Sequence, residues 1–257
     1  MAIDLSKMRA KLDALQNKDS GDNKFWRPSD GEQAIRIVPT EDGDPFREFH
    51  FHYNVGQNRG FLCPKRNFGD DCPVCEFASQ LWKEGSANDD DSAKKMAKGL
   101  FARQRFFSPV LVRGEEDQGV RAWGYGKMAY ESLLGLVLNP EYGDITDPQS
   151  GTDLVLTYGK PSGASFPQTK LTPRRRSSPL CDEAVGGDER CAELLDSIPD
   201  FDTLFERKTT QDVNAMLDEY LSGDQSAETS SSETEKYAAT TTTTDPVDAA
   251  FDELMGA

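Results

Sequence analysis

Apolar positions along this chain follow two periods, and where neither holds the sequence turns polar. Leu5, Met8, Leu12 and Leu15 recur at the spacing of one helical face, with Lys7, Arg9 and Lys11 on the others, so residues 4–16 predict a short amphipathic helix. Such a helix packs on its own core or docks onto a neighbouring subunit. Ser20-Gly-Asp-Asn breaks the pattern. Residues 33–38 then alternate as a strand, with Ile35 and Ile37 on one face, and Phe49-His-Phe-His alternates in the same way. Phe77, Ala78, Leu81 and Trp82 predict a helix, and residues 85–91 a loop. Residues 106–112 and 119–126 predict a hairpin around the Gly114-Glu-Glu-Asp turn, followed by a helix over 127–138 and a strand over 154–158. Residues 191–198 and 210–221 read as helices, the second with Val213, Met216, Leu217 and Tyr220 as its apolar stripe.

Short strands, a few helices and long polar connections predict an α+β, mainly β architecture. Its expected form is a partly open barrel of the oligonucleotide-binding (OB) kind, with an inserted zinc subdomain over about 46–84 and peripheral helices. Composition sets the boundaries: an arm over 1–20, a core over 21–222 and a tail over 223–257. From Ser222 onward the chain is Ser, Thr, Ala, Asp and Glu with hardly a large apolar residue before Phe251, so the tail is expected to be disordered. No stretch is apolar enough to span a bilayer, and the start lacks the layout of a signal peptide, so a cytosolic protein is expected.

The net charge of -16 argues at first against a nucleic-acid partner, but the charge is unevenly spread. Residues 223–257 carry eight acidic side chains against one lysine. Between Lys94 and Lys127 the balance reverses, and Lys94, Lys95, Lys98, Arg103, Arg105, Arg113, Arg121 and Lys127 face only Glu115, Glu116 and Asp117.

The strongest chemical signal is His52, Cys63 and Cys72-Pro-Val-Cys75. Two cysteines separated by two residues turn both sulfurs toward one point, and a third thiolate with an imidazole closes a tetrahedron suited to one structural zinc ion. An iron–sulfur cluster would want four cysteines here, and a disulfide or redox pair is the competing reading. His50 shares strand parity with His52, and the metal takes one of the two. Cys181 and Cys191 are expected to be reduced thiols.

Arg121, Trp123 and Tyr125 share one strand parity, Val120, Ala122 and Gly124 the other. An exposed face of rings and guanidinium suits single-stranded nucleic acid, whose unpaired bases stack on aromatics while cations hold the phosphates. Arg103, Arg105, Phe106 and Phe107 offer the same mixture nearby. The competing reading buries Trp123 and Tyr125, at the cost of an unpaired Arg121. The Arg174-Arg-Arg run, after Phe166 and Lys170, is either a loop closing over a strand or a solvated charge run.

Taken together, Pro45-Phe46 leading to His52, Cys63, Cys72-Pro-Val-Cys75, the ordered stretches 103–112 and 120–127, and the acidic end resemble the replication single-stranded DNA-binding proteins of T-even-type phages, the helix-destabilising proteins. The resemblance implies a zinc-stabilised OB core that coats and protects single strands in replication, recombination and repair, in the cytoplasm of an infected bacterial host. It selects His52 over His50 as the ligand. Arg103, Arg105, Phe106, Trp123, Tyr125, Lys127 and Phe166 would line the DNA cleft. The arm with Lys7, Arg9 and Lys11 would mediate cooperative self-association. The tail would regulate access to DNA and recruit replication proteins (helicase loader, primase-helicase, polymerase), with Phe251, Leu254 and Met255 as docking anchors. The chain departs from the family pattern in an arm that carries Asp4 and Asp13 beside its lysines, and in slightly shorter metal loops.

Two rival classes stand beside this reading. A zinc-dependent nuclease would need an open coordination position and a general base, whereas four protein ligands are present with only two histidines and no phosphate-cradling Gly-x-x-x-x-Gly-Lys run, so no enzymatic activity is expected. A zinc-ribbon adaptor binding RNA or protein is the other alternative.

Overall fold

Apolar residues at alternate positions of Gly31–Ile37 (β2) put Ile35 and Ile37 on one side of a sheet, and the strands around them complete it. The computed structural model of the chain describes residues 24–164, 166–181 and 187–227. The arm with Lys7, Arg9 and Lys11 and the segment with Phe251, Leu254 and Met255 lie outside these residues.

The other strands are Phe25–Trp26 (β1), Arg47–Val55 (β3), Asn58–Leu62 (β4), Arg103–Val112 (β5), Arg121–Tyr125 (β6), Leu154–Gly159 (β7) and Gln168–Pro173 (β8). They run in the order β1-β6-β5-β2-β7-β8, with β3 and β4 branching from β5, and β1 and β8 do not pair with each other, so the sheet is open. The ten-residue β5 makes the branch. Its first half pairs with β3, from Phe51↔Arg103 to Arg47↔Phe107, and its second half with β2, from Ile37↔Val110 to Ile35↔Val112.

The sheet is buried on both faces. Trp26, Ile35, Phe106, Trp123 and Tyr125 form one core, closed by Ala129 and Leu133 of the helix Lys127–Val137. On the other face Phe51, Phe107 and Ala122 pack against Phe201, Phe205 and Ile198, while Val38, Leu111 and Val120 pack against Leu194 of the helix Gly187–Asp196. This corrects the expected exposed aromatic strip: Phe106 is 2 %, Phe107 0 %, Arg121 5 %, Trp123 1 % and Tyr125 4 % exposed. Alternation leaves one face wet only in a sheet covered on a single side, whereas here the helix Lys127–Val137 covers one face and Leu194, Ile198 and Phe201 the other. Burial also leaves few orphan groups. Arg121 reaches back to Glu115 at 2.6 Å, and the Tyr125 hydroxyl lies 2.6 Å from Ser108 Oγ. The acidic turn is therefore the partner that the sequence reading denied to Arg121. Trp123→Ala is expected to cost about 3–5 kcal/mol in urea denaturation, as for other large core truncations; a loss under about 1 kcal/mol would contradict the packing.

Four further helices surround the cysteines and the C-terminal side: Pro64–Phe68 (α1), Pro73–Ala87 (α2), Asp91–Leu100 (α3) and, past the helices at 127–137 (α4) and 187–196 (α5), Thr210–Ala227 (α6). The loop expected at 85–91 is present but shorter, reduced to residues 88–90 between α2 and α3. Asp90 caps α3 by accepting from Ser92 N and Ala93 N, and Gly85 lets the two helices meet, since an added Cβ would sit 3.0 Å from Ala93 Cβ. α6 also runs further than expected, continuing to Ala227 past the helix end read at Leu221.

Candidate metal centre and nucleic-acid interface

Each metal-ligand candidate is held by a different local device. His52 lies in the middle of β3, where pairing with Phe61 of β4 fixes its direction. Cys63 ends the β4 hairpin and caps α1, its sulfur accepting from Arg66 N at 3.4 Å. Cys72 stands at the N-cap of α2 and Cys75 in its first turn, with Pro73 starting the helix between them. The four donor atoms lie within 4.8 Å of one another. Cys63 Sγ is 3.4 Å from Cys75 Sγ, and His52 Nε2 is 3.3 Å from Cys72 Sγ and 3.4 Å from Cys75 Sγ. These spacings match the edges of a tetrahedron whose metal–ligand bonds are roughly 2.0–2.3 Å.

The surroundings fit the same purpose. His52 Nδ1 lies 2.8 Å from the Leu100 carbonyl; donating there, the ring leaves Nε2 as the free lone pair facing the sulfurs. His50, two residues back, turns away to Glu48 at 3.7 Å, while its backbone amide donates to Asn67. Hydrogen bonds with Cys72 and Cys75 pull the Cys63 thiol far down, whereas those with Cys63 and Cys72 push Cys75 far up. Burial disfavours a charged His52, but the Cys63 and Cys72 sulfurs outweigh it and raise the ring to about 9. Three soft donors concentrated on one point with a neutralisable imidazole form a donor set that could hold a metal ion and suits zinc.

The nine residues expected on the DNA surface divide by exposure. Phe106, Phe107, Arg121, Trp123 and Tyr125 are core. Arg103 and Lys127 are exposed, Arg105 is half-buried, and Phe166 is 41 % exposed. Arg105 and Lys127 are brought together by the fold: β5 begins beside the end of β6, and an added Cβ at Gly126 would lie 3.4 Å from the Arg105 guanidinium. Gly126 is thus the place where a side chain would crowd that cation.

Rings reach the surface at other positions. Tyr130, one turn after Lys127 in α4, stacks on buried Phe106 with centroids 3.9 Å apart, and Phe46 meets it edge-on. At the opposite end of the basic stretch, Lys98 sits over Trp82, 5.5 Å from the ring centroid. Tyr130 and Phe46 were missed by strand alternation, because their rings become neighbours only when α4 folds over β5. The one available signal was Gly126-Lys-Met-Ala-Tyr, which sets a ring and a cation one helical turn apart.

A second charged cluster, also unread from the sequence, lies inside the fold. The fully buried Arg36 donates to Asp153 at 2.9 Å and to the Ser178 carbonyl at 2.6 Å, and Arg113 Nη2 meets the same carboxylate at 3.0 Å. Burial pulls the Arg36 guanidinium below its ordinary value, with Asp153 opposing. Arg174 lies 3.9 Å from Asp153, so the first residue of the Arg174-Arg-Arg run borders this network, while all three remain exposed.

Among the described residues no helix is long and apolar enough to cross a membrane. The family model described as gp32 DNA binding protein like matches residues 29–220, well over half of the chain. No curated protein matches it.

Proposed function

The chain belongs to the gp32-like DNA-binding protein family, and from that premise we propose that it is a non-enzymatic protein that binds single-stranded DNA without sequence preference. The carrying observation is that the matched span includes both the four-ligand cluster and the exposed cations Arg103 and Lys127, with Arg105 and Tyr130 half-buried. Cations that bind phosphates and rings that stack on any base carry no sequence information, so the strand is coated rather than read. Strand separation then follows by mass action, since a ligand of the single strand alone draws the duplex apart.

In this reading His52, Cys63, Cys72 and Cys75 hold one zinc ion, whose chemistry is purely structural because protein supplies all four ligands. The open sheet, with β5 shared between two halves, supports an OB-type core with the zinc subdomain built on its β3–β4 extension. Roles in phage replication, recombination and repair, in the cytoplasm of the infected host, belong to the same proposal. So do self-association through Lys7, Arg9 and Lys11, and recruitment of replication proteins through Phe251, Leu254 and Met255. An acidic tail would compete with DNA for the cations, so truncation after Ser222 is expected to tighten binding at low salt.

The test is binding to labelled single strands and duplex across a salt series. Affinity for single strands should fall with a slope near -0.7 per phosphate contact. Equal affinity for duplex, or a flat salt response, would overturn the proposal. Phe166→Ala is expected to weaken binding by about 1–3 kcal/mol with an unchanged melting temperature, the signature of a stacking ring rather than a core one.

A further inference from the structure

Cys181 and Cys191 lie ten residues apart in sequence and meet in one place. Cys181, buried, follows Leu180 in a segment anchored to the sheet, because Arg113 donates to the Leu180 carbonyl at 2.7 Å and to the Pro179 carbonyl at 2.8 Å. Cys191, half-buried, is carried by α5, which is held by the neighbouring Arg190 donating to the Glu116 carbonyl at 3.2 Å. Both belong to the apolar cluster of Val38, Leu111, Val120, Leu180 and Leu194. Cys191 packs against the cluster that buries Cys181, so the two side chains are neighbours. Both are free thiols and neither touches the metal cluster, so the metal centre does not account for this pair.

We propose that Cys181 and Cys191 form an oxidation site for peroxides, in which Cys191 reacts first and Cys181 resolves it to a disulfide that fastens α5 to the sheet. The asymmetry follows from placement. Cys191 has a face toward solvent, whereas burial, followed by its neighbour Cys191, pushes the Cys181 thiol up to about 12. The guanidiniums of Arg113 and Arg190 act on Cys181 in the opposite sense, favouring its thiolate. In the first step the Cys191 sulfur attacks a peroxide oxygen; the O–O bond breaks, a sulfenic acid forms and one water leaves with the thiol proton. In the second the Cys181 sulfur attacks the sulfenic sulfur; the S–S bond forms, the S–O bond breaks and a second water leaves. Two thiols lose two electrons and the peroxide is reduced to two waters. Closing so short a ring is expected to lower the unfolding equilibrium constant by roughly a hundredfold.

The full-length, zinc-loaded protein is treated with hydrogen peroxide near equimolar, then alkylated and digested with trypsin without reduction. Cleavage after Arg176, Arg190 and Arg207 separates the two cysteines into adjacent peptides. The expected result is a reducible species joining residues 177–190 to residues 191–207 within one chain. A shift of the urea midpoint to higher denaturant, reversed by dithiothreitol, should accompany it. Cys181→Ser should instead accumulate a sulfenic acid at Cys191 that a dimedone probe captures. Recovery of both peptides alkylated and separate, cross-linking only between chains, or oxidation of the four-ligand cysteines while this pair stays reduced would each overturn the proposal. None of these readouts depends on DNA binding, so the two proposals fail independently.

Discussion

Cys72→Ser is expected to dissolve the structure around the four candidate metal ligands while leaving the main sheet folded. The cluster around the ligands consists of Val55, Phe61, Cys63, Cys72, Val74, Ala78, Leu100, Val213 and Leu217, so two of the four ligands are themselves core residues. His52 is fully buried beside them. Without a metal, this small core would surround three thiols and an imidazole with no common counter-charge. Structural zinc in peptide-sized sites contributes on the order of 10–16 kcal/mol of apparent binding energy at neutral pH, comparable with or larger than the whole stability of an ordinary domain. Such a loss exceeds what α1, α2 and α3 can recover by packing alone. Amide exchange should therefore accelerate across residues 58–100, and along α6, whose Val213 and Leu217 share the cluster, while β2, β5 and β7 keep their protection. A strong chelator should produce the same pattern in the unaltered chain, and metal analysis of fresh protein should give one zinc per chain. Unchanged exchange and melting after chelation would remove the metal from the account of this fold.

Asp153→Ala should be among the most damaging single changes in the sheet half. One carboxylate, 4 % exposed at its side chain, serves Arg36 at 2.9 Å and Arg113 at 3.0 Å. These arginines also donate to the carbonyls of Asp147, Ser178, Pro179 and Leu180, which joins β2 and the end of β5 to the loop before β7 and the segment after β8. Removing the carboxylate leaves the buried Arg36 guanidinium without its anion, and breaking one side of such a pair costs about 3–5 kcal/mol. The loop is built around the same group: at Gly151 an added Cβ would lie 2.8 Å from Arg36 Nη1 and 2.5 Å from the Asp147 carbonyl. The expected measurement is a urea midpoint far below that of the unaltered chain. Replacing Arg36 and Asp153 together by leucine and alanine should cost less than the sum of the single changes, because the fully buried Arg36 charge leaves with its anion and only the partly exposed Arg113 loses a partner. A loss below about 1 kcal/mol for Asp153→Ala would show that water reaches the site and shares the charge.

The strands at 31–37, 103–112 and 154–159 were legible because alternation or an apolar run shows in the chain itself. β4 was not: Asn58-Arg-Gly-Phe-Leu has no period, and it becomes a strand through its partner β3. α3 was hidden behind Asp89-Asp-Asp, a polar run that resembles a loop until Asp90 caps the helix. β8 alternates only weakly, Thr169 and Leu171 half-buried against exposed Gln168 and Lys170, and it was read as part of a loop. The basic stretch was visible as composition, yet which of its members reach solvent was not.

What the chain alone determined is the chemistry whose geometry is local. The Cys72-Pro-Val-Cys75 spacing needs only a helix N-terminus to aim two sulfurs at one point, and a separation of two residues encodes that directly. Tertiary structure decided everything that depends on a second surface. Trp123 and Tyr125 could face a groove or a core with the same alternation, and the choice was made by α4 closing over one side of β6 and by Glu115 turning back to neutralise Arg121. The Arg36–Asp153 pair spans 117 residues of sequence, and its energy exists only where distant segments exclude water around it.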